Sequence, residues 1–417
     1  MNECKIISSC RLCNSNKLIN IVNFHKVAVG NNLLNTSLES KKAKKYPLKI
    51  NQCLSCKHFQ LSHSVSDKVL YQSNYSYLSG ISKVFINHFD KYVIWINKYI
   101  KKPINKKARI IDIGSNDGTC LNAFKKNGYF VLGVDPAKDP AKIANKNGIK
   151  TINSFFNNKT KNFIIKKYGL FDLVTSHNVL AHVYDLKKIF SNIHDVLIDD
   201  GYFCFEVGYF YEVLKNNYFD TIYHEHLDYH HSYPLVYFLN NIGFSLINIS
   251  TNSIQGGTIR ILCRKTRIIS NTNQVMNFVK KEKKTIIHNT RYLSQWKKAI
   301  NKKMNKFQSI IKKFNQQNKI VIGYGAPTKA VLLLSISNLN SKNIKYIVED
   351  NHLKQNKYLP ISAIPIYNKN MYKVIHPKAI IIFAWNFSDD IIKKLKKDFN
   401  TNIEVIIPLP KPIKIQL

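Results

Sequence analysis

Residues 109–124 read RIIDIGSNDGTCLNAF, and this stretch decides the fold of the central part of the chain. The apolar run at 110–113 is typical of a short buried strand, and Gly114 and Gly118 enclose a tight polar loop after it. The residues that follow predict an amphipathic helix. Because glycines let the backbone approach a ligand closely, strand, glycine loop and helix together predict a nucleotide-binding α/β unit.

The next strands of the unit support a particular cofactor. Residues 129–137, YFVLGVDPA, predict a strand that ends in Asp135, whose carboxylate is suited to accept both hydroxyls of a ribose. Residues 171–183, FDLVTSHNVLAHV, predict another strand that ends in a polar turn. The spacing D-x-G-x-x-x-G, from Asp112 to Gly118, differs from the dinucleotide pattern and resembles the first motif of the class I methyltransferases, which bind S-adenosylmethionine.

The resemblance implies a set of cofactor-binding residues. They are Asp112, Gly114, Ser115, Asn116, Asp117, Gly118, Asp135 and Asn178. The alternative is an α/β domain whose glycines only turn the chain.

Four cysteines near the start of the chain form two C-x2-C pairs, Cys10 with Cys13 and Cys53 with Cys56. Two such pairs complete a tetrahedral shell of four thiolates, which zinc prefers and which leaves no open position for a substrate. The stretch between the pairs is longer than in a compact zinc ribbon, so we expect it to hold small structure of its own. We predict a structural zinc in an N-terminal domain of residues 1–70.

The C-terminal part repeats the strand, glycine loop and helix order at residues 319–334, KIVIGYGAPTKAVLLL. Three more strands are predicted at residues 344–350, 379–385 and 404–409. These patterns predict a second Rossmann-like α/β domain, residues 271–417, after a methyltransferase domain of residues 71–270. The lysine-rich residues 275–315, in the first part of this C-terminal domain, predict amphipathic helices with a solvated basic face.

The loop at residues 323–329 lacks the Walker pattern, so ATP hydrolysis is not indicated. Its backbone N–H groups and Lys329 are suited to hold a phosphate. We take Tyr324 and Lys329 as candidate substrate-binding residues, with a purely structural turn as the alternative.

The order of zinc knuckle, methyltransferase domain and second Rossmann-like domain resembles the C-methyltransferases of nucleotide-linked keto-deoxysugars over nearly the whole chain. Besides the cysteines, the shared motifs are GSNDG at 114–118, NVLAHV at 178–183, Y-x-E-H at 223–226, GYGA-x-x-K at 323–329, D-N-x-x-K-Q at 350–355 and AWNF at 384–387. Many relatives have H-G-G-[ST]-x-R where this chain has Gln255 to Arg260, QGGTIR. This departure puts the substrate or the reaction position in doubt, though not the cofactor, and Arg260 is a candidate partner for a pyrophosphate.

The resemblance implies that the histidine-rich residues 221–233, TIYHEHLDYHHSY, contain catalytic residues at the Y-x-E-H positions Tyr223, Glu225 and His226. Methylation of a sugar carbon requires removal of a proton next to a ketone, and histidine is a suitable base near neutral pH. The implied roles are His226 as base, Tyr223 as hydrogen-bond donor to the enolate, and Glu225 as orienter of the imidazole or substrate ligand. His182, in the turn after the third strand, is a further catalytic candidate.

Two other interpretations of the histidine-rich stretch stay open. His226 and His230 are four residues apart and would share a helix face, which suits a metal ion. The stretch would otherwise be a polar loop without special chemistry. We expect His224, His230 and His231 to be surface residues or to support the site.

The formal charge of +38, from 63 basic and 25 acidic residues, is typical of nucleic-acid binders. The excess is mostly lysine spread along the chain together with asparagine and isoleucine, all with A/T-rich codons, whereas arginine is scarce. We therefore expect no nucleic-acid partner. No apolar stretch is long enough for a membrane span and no signal peptide is evident, so we predict a cytoplasmic protein whose oligomeric state stays open.

The sequence thus predicts an S-adenosylmethionine-dependent C-methyltransferase that acts on a nucleotide-diphosphate 4-keto-6-deoxyhexose, at C-3 in the first instance. The alternatives are an O- or N-methyltransferase of a nucleotide sugar, a noncatalytic binder of one, and an RNA methyltransferase.

Overall fold

The computed structural model of the chain describes residues 3–70, 78–81, 83–100, 108–399 and 403–417. The N-terminal elements are β1 Cys4–Ile6, β2 Leu18–Ala28, α1 Ser37–Lys41, β3 Lys45–Cys53, β4 Phe59–Leu61, β5 His63–Val65 and α2 Asp67–Leu70. Strands β2, β3 and β4 form an antiparallel sheet, and β1 pairs with β5. The stretch between the two cysteine pairs therefore has structure of its own, as expected.

The central domain is built on a seven-stranded sheet. Its elements are α3 Lys83–Ile96, β6 Arg109–Ile113, α4 Thr119–Lys126, β7 Phe130–Asp135, α5 Lys138–Lys146, β8 Thr151–Asn153, α6 Asn158–Tyr168, β9 Phe171–His177, α7 Leu186–Val196, β10 Leu197–Gly208, α8 Phe210–Asn216, β11 Asp228–Tyr229, α9 Ser232–Asn240, β12 Phe244–Asn252, β13 Thr258–Lys265 and α10 Asn273–Lys283.

The strand order of this sheet is β12-β13-β10-β9-β6-β7-β8, in which β13 runs antiparallel to both of its neighbours and the other pairings are parallel. The chain direction across the sheet reverses at β6, which lies between β7 and β9. Ligands of open α/β sheets bind outside the carboxyl ends of the strands at such a reversal. The predicted class I methyltransferase fold is confirmed.

The C-terminal domain is a second α/β unit. Its elements are α11 Thr290–Gln316, β14 Val321–Tyr324, α12 Ala330–Ile336, β15 Ile347–Val348, β16 Lys357–Tyr358, β17 Pro365–Tyr367, β18 Ala379–Ile382, α13 Ser388–Asp398, β19 Glu404–Ile407 and β20 Ile413–Gln416. The sheet order is β16-β17-β15-β14-β18-β19-β20, with five parallel central strands and antiparallel edges. The predicted second Rossmann-like unit is therefore present.

The three parts share cores and strands across the predicted domain boundaries. One hydrophobic core joins Val22 and Phe59 of the N-terminal sheet to Val321 of the C-terminal sheet. Helix α10, which the sequence-based boundary assigned to the C-terminal domain, buries Val275 and Val279 in the core of the central sheet. In the described parts of the chain, no helix is both long and apolar enough to cross a membrane.

Candidate active site

The glycine loop lies at the carboxyl end of β6. Gly114 has a φ of +74°, and a Cβ at this position would collide with Val179 of the turn that follows β9. The Asp135 carboxylate, at the end of β7, accepts the backbone N–H of Asn116 at 2.8 Å. Burial raises the pKa of Asp135, and the hydrogen bonds from the backbone N–H groups of Ala137 and Asn116 oppose the rise. The loop is therefore fixed from both neighbouring strands.

The remaining cofactor-binding candidates lie around the same loop. Asp117 accepts the backbone N–H of Gly80 at 2.7 Å, so residues 78–81 cover the loop on one side. The Ser115 hydroxyl is buried and has no hydrogen-bond partner among the described residues. Asn178 has a φ of +57° in the turn after β9. Gly118, with a φ of +79°, begins α4, and the buried Asp112 carboxyl accepts the hydroxyl of Thr175 at 2.7 Å.

A tyrosine and a histidine form a hydrogen-bonded pair in the histidine-rich segment. His226 Nδ1 lies 3.0 Å from the carbonyl oxygen of Thr221, which only accepts, so Nδ1 carries the proton. His226 Nε2 then accepts the hydroxyl of Tyr223 at 2.7 Å. Burial, helped by the nearby His182, holds the pKa of His226 well below its ordinary value. The imidazole is therefore neutral at pH 7, with a lone pair on Nε2.

Glu225 does not orient this imidazole. Its Oε1 accepts the side-chain N–H of Asn31 at 3.0 Å, and within the described residues no hydrogen bond joins it to His226. The Thr221 carbonyl orients the ring instead, which corrects that part of the expectation. Burial raises the pKa of Glu225 to about 7, opposed by the hydrogen bond from Asn31. A role for Glu225 as a substrate ligand stays a prediction.

His182 lies beside the Tyr223–His226 pair. The His182 and His226 rings are 4.7 Å apart between centroids and meet edge to face. Burial lowers the pKa of His182 to about 4. The two segments are also joined by a 2.7 Å hydrogen bond from the Leu227 N–H to the Ala181 carbonyl. Because Val179 of the same turn packs on the glycine loop, the catalytic candidates Tyr223, His226 and His182 lie at the edge of the sheet that carries this loop, the cofactor edge.

The other histidines of the segment are buried, so of the two expected alternatives the surface location is wrong, and support of the site stays a prediction. His224 bonds to the carbonyl of Tyr46 at 3.2 Å, and His231 lies between Glu282 and the carbonyl of Lys57. The segment forms a single 3-10 turn, Phe219–Thr221, and the short β11. His226 and His230 therefore do not share a helix face, which removes the basis of the metal interpretation.

The four cysteines converge as predicted, with all sulfur atoms within 4.8 Å of one another. Cys10 and Cys56 are 3.5 Å apart and Cys13 and Cys53 are 3.6 Å apart, measured between Sγ atoms. Tetrahedral zinc with Zn–S bonds of about 2.3 Å separates its thiolates by about 3.8 Å. The residues therefore fit a structural zinc ion with a closed shell.

Comparison with known proteins agrees with this geometry. Three family models match successive parts of the chain: a zinc binding domain at residues 10–71, a methyltransferase domain at 87–249 and a C-methyltransferase C-terminal domain at 253–410. The chain is 28% identical over 407 residues to the C-methyltransferase NovU of Streptomyces niveus, which covers 97% of this chain and 96% of NovU. These matches support an S-adenosylmethionine-dependent C-methyltransferase, similar to NovU over nearly the whole chain.

Solved structures resemble the central domain of the C-methyltransferase more distantly. Magnesium protoporphyrin IX methyltransferase from Synechocystis PCC 6803 with bound S-adenosylmethionine is 13% identical, covers 43% of this chain and 79% of its own, and has a TM-score of 0.34. The PH0226 protein of Pyrococcus horikoshii OT3 is 13% identical, covers 47% of this chain and 98% of its own, and has a TM-score of 0.36. At these scores the likeness supports no conclusion of its own.

Arg260 of the C-methyltransferase is already paired inside the protein. Its guanidinium lies 2.6 Å from Glu206 and 4.8 Å from the ring centroids of both Tyr92 and Trp95. Burial would raise the pKa of Glu206. Hydrogen bonds from His177 and His88 and the charge of Arg260 nevertheless hold this pKa well below its ordinary value. The structure therefore does not support Arg260 as the pyrophosphate ligand. The sequence contains one indication of this pair, since the acidic residue Glu206 lies near the end of the apolar strand β10.

The two substrate-binding candidates in the loop at residues 323–329, which we name the C-terminal loop, also have protein partners. The Tyr324 hydroxyl donates to both carboxylate oxygens of Asp350, at 3.1 and 3.0 Å. The Lys329 ammonium donates to Asn386 at 2.8 Å and lies 3.7 Å from the ring centroid of Trp385. Burial lowers the pKa of Lys329 to about 8, opposed by the charge of Asp220. Their roles toward the substrate stay predictions.

Trp385 connects the C-terminal loop to residues 218–228, which hold the catalytic candidates Tyr223, Glu225 and His226 and which we name the catalytic segment. Its indole N–H donates to the buried Asp220 at 2.6 Å, and its ring stacks on Tyr218 with centroids 4.3 Å apart. A Cβ on Gly256, next to Gln255, would lie 3.4 Å from the Trp385 ring. Residues 255–260, which depart from the family pattern, therefore lie next to the contact between Trp385 and Tyr218. Sequence reasoning missed Tyr218 and Asp220, because their partner lies in a different domain.

Proposed function

We propose that this C-methyltransferase methylates a carbon next to the ketone of a nucleotide-diphosphate 4-keto-6-deoxyhexose, with C-3 as the position. The observation that carries the proposal is the Tyr223–His226 pair at the cofactor edge of the sheet. One member is a neutral imidazole whose Nε2 lone pair is able to accept a proton, and the other is a hydroxyl donor. Removal of a proton next to a ketone needs both functions side by side.

The hydrogen bond between the pair suggests how a substrate engages it. A ketone oxygen competes for the Tyr223 hydroxyl, and this frees His226 Nε2 to accept the proton from the adjacent carbon. The acidic C–H and the oxygen of a ketone lie on neighbouring carbons, and the two protein atoms are only 2.7 Å apart, so both contacts form together. When bound, S-adenosylmethionine would supply an electrophilic methyl group; the enolate carbon would bond to this methyl group as its bond to sulfur breaks, and a neutral thioether would be released.

We assign the nucleotide to the C-terminal domain. The loop at residues 323–329 lies next to Trp385, and Trp385 contacts Asp220 a few residues before the catalytic pair. A nucleotide on this loop would leave its sugar close to Tyr223. A reducing compartment, the cytoplasm, suits the free thiols and the thiolate zinc site.

The product of methyl transfer tests this proposal. The full-length protein is incubated with trideuteromethyl-labelled S-adenosylmethionine and a panel of nucleotide-linked 4-keto-6-deoxyhexoses, and mass spectrometry and NMR locate the label. We expect the labelled methyl on C-3. Label on an oxygen or nitrogen would contradict the carbon mechanism, and no label on panel members that calorimetry shows to bind would contradict the substrate class.

A further inference from the structure

Part of the zinc-binding domain lies between the catalytic segment and the C-terminal domain. The backbones of Leu34 and Tyr358 are paired by hydrogen bonds of 3.0 and 2.8 Å. The Ser40 hydroxyl donates to the Leu359 carbonyl at 2.6 Å. Residues 30–40, which we name the strap, are therefore fixed to the C-terminal domain.

One side chain at the start of the strap contacts both functional regions. The Asn31 amide nitrogen donates to Glu225 Oε1 at 3.0 Å, and its oxygen accepts the hydroxyl of Thr328. Glu225 directly precedes the catalytic His226, and Thr328 belongs to the loop at residues 323–329. Asn31 thus connects three parts of the molecule through two hydrogen bonds.

The backbone beside Asn31 approaches the same loop closely. A Cβ on Gly30 would collide with the carbonyl oxygen and the methyl group of Thr328. The strap and the loop therefore pack without a side chain between them at this point. We therefore expect a displacement of Thr328 to move Asn31, which follows Gly30 in the chain.

The Glu225 carboxyl is expected to follow Asn31. Glu225 is only 4% exposed, so a carboxyl that lost its donor would be buried without compensation from water. An unsatisfied buried polar group costs about 1–3 kcal/mol. We therefore expect the Glu225 carboxyl to move together with the Asn31 amide, so that their hydrogen bond is kept.

We propose that Asn31 is a positioning residue that couples the C-terminal loop to the catalytic segment through Glu225. A sugar nucleotide held at residues 323–329 would thereby help to align His226 and Tyr223 for proton removal. The nature of this ligand rests on the proposed function, whereas the coupling itself is a property of the free protein and is tested separately.

Hydrogen–deuterium exchange of backbone amides tests the coupling without any ligand. In the full-length protein we expect Asn31→Ala and Thr328→Val to speed exchange about fivefold at residues 221–228, the loss expected for one hydrogen bond of about 1 kcal/mol. Thr328→Ser keeps the hydroxyl and should restore the wild-type rate. Asn32→Ala is the matched control. The proposal is overturned if Thr328→Val leaves exchange at residues 221–228 unchanged, or if Asn32→Ala has the same effect.

Steady-state kinetics then test the positioning role with whichever nucleotide-linked 4-keto-6-deoxyhexose the wild type methylates. We expect Asn31→Ala to lower kcat about 10-fold with little change in KM for S-adenosylmethionine, and the Asn31→Ala, Thr328→Val double variant to be no worse than Asn31→Ala alone. Additive losses would overturn the coupling. If the wild type methylates no member of the panel, the proposed function fails, and the exchange rates alone decide the coupling.

Discussion

The Tyr223 hydroxyl donates to His226 Nε2 in the free protein and, we propose, to the ketone oxygen in the substrate complex. Tyr223→Phe keeps the ring and removes this donor. We predict a fall in kcat of roughly 10²–10³-fold, typical of the loss of one donor to a developing oxyanion. Methyl transfer measured under saturating substrate checks this, with Tyr237→Phe, on the exposed face of α9, as the control. Full activity of Tyr223→Phe would contradict the role.

Glu225 carries a stability effect with a definite pH dependence. Burial raises its pKa from 4.5 to about 7, so between these pH values the folded state binds more protons than the unfolded state. Stability therefore falls as pH rises through this window. Glu225→Gln removes the effect, and we predict that its stability relative to wild type increases by about 3 kcal/mol between pH 4.5 and pH 8.

Urea unfolding at both pH values measures this difference. Asp390→Asn, which alters an exposed carboxyl on α13, should show the same pH dependence as wild type. If the free energies of unfolding of Glu225→Gln and wild type changed equally with pH, Glu225 would be ionised in the folded protein without a penalty, and the prediction would be wrong.

At the scale of elements, the end of β7 and the glycine loop form one unit. Asp135 accepts the backbone N–H of Asn116 in the loop and that of Ala137 after β7, and it is the predicted ribose ligand. Asp135→Asn removes the charge with little change in volume. We predict that it weakens S-adenosylhomocysteine binding about 10–100-fold, the loss of a charged hydrogen bond of about 1.5–3 kcal/mol. Isothermal calorimetry measures the affinity, and Asp139→Asn on the exposed side of α5 should bind like wild type.

The elements that the sequence predicted are those with a local pattern. The glycine loop after β6, the acid at the end of β7 and the apolar positions of α11 are visible within short windows, because turn geometry and helix periodicity are local properties. The two-residue strand β11 has no such pattern, since its partner β4 in the N-terminal domain defines it.

The unpredicted parts of the site depend on distant partners. Glu225 bonds to Asn31, 194 residues away, and Arg260 bonds to Glu206, 54 residues away. A single sequence shows that these residues are polar, but not which polar groups tertiary packing brings together. The residues of the catalytic segment could therefore be named from the sequence, whereas the orienting role of Thr221 could not.

At the scale of the whole molecule, the zinc knuckle is bonded to the segment that holds the catalytic candidates. Arg11, between two zinc ligands, bonds to both carboxylate oxygens of Asp228, two residues after His226. Although burial opposes it, the charge of Arg11, with the neighbouring His58, holds the pKa of Asp228 at about 2. The pair is buried, and removal of one partner of a buried ion pair costs about 3–5 kcal/mol.

We therefore predict that Arg11→Met lowers the free energy of unfolding by about 3–5 kcal/mol and reduces methyl transfer, while bound zinc persists because no thiolate is lost. Denaturant unfolding, metal analysis and activity check these three outcomes. Arg267→Met, at a side chain that is almost fully exposed, should change none of them. Wild-type stability and activity of Arg11→Met would show that the knuckle does not support the catalytic segment.

Solvent deuterium exchange tests the central claim, proton removal from the substrate carbon by His226, most directly. The protein is incubated in heavy water with nucleotide-linked 4-keto-6-deoxyhexoses and S-adenosylhomocysteine, and mass spectrometry follows deuterium next to the ketone. We predict exchange well above the protein-free rate, and its loss in His226→Ala. No exchange in a sugar nucleotide that demonstrably binds, or undiminished exchange in His226→Ala, would contradict the claim.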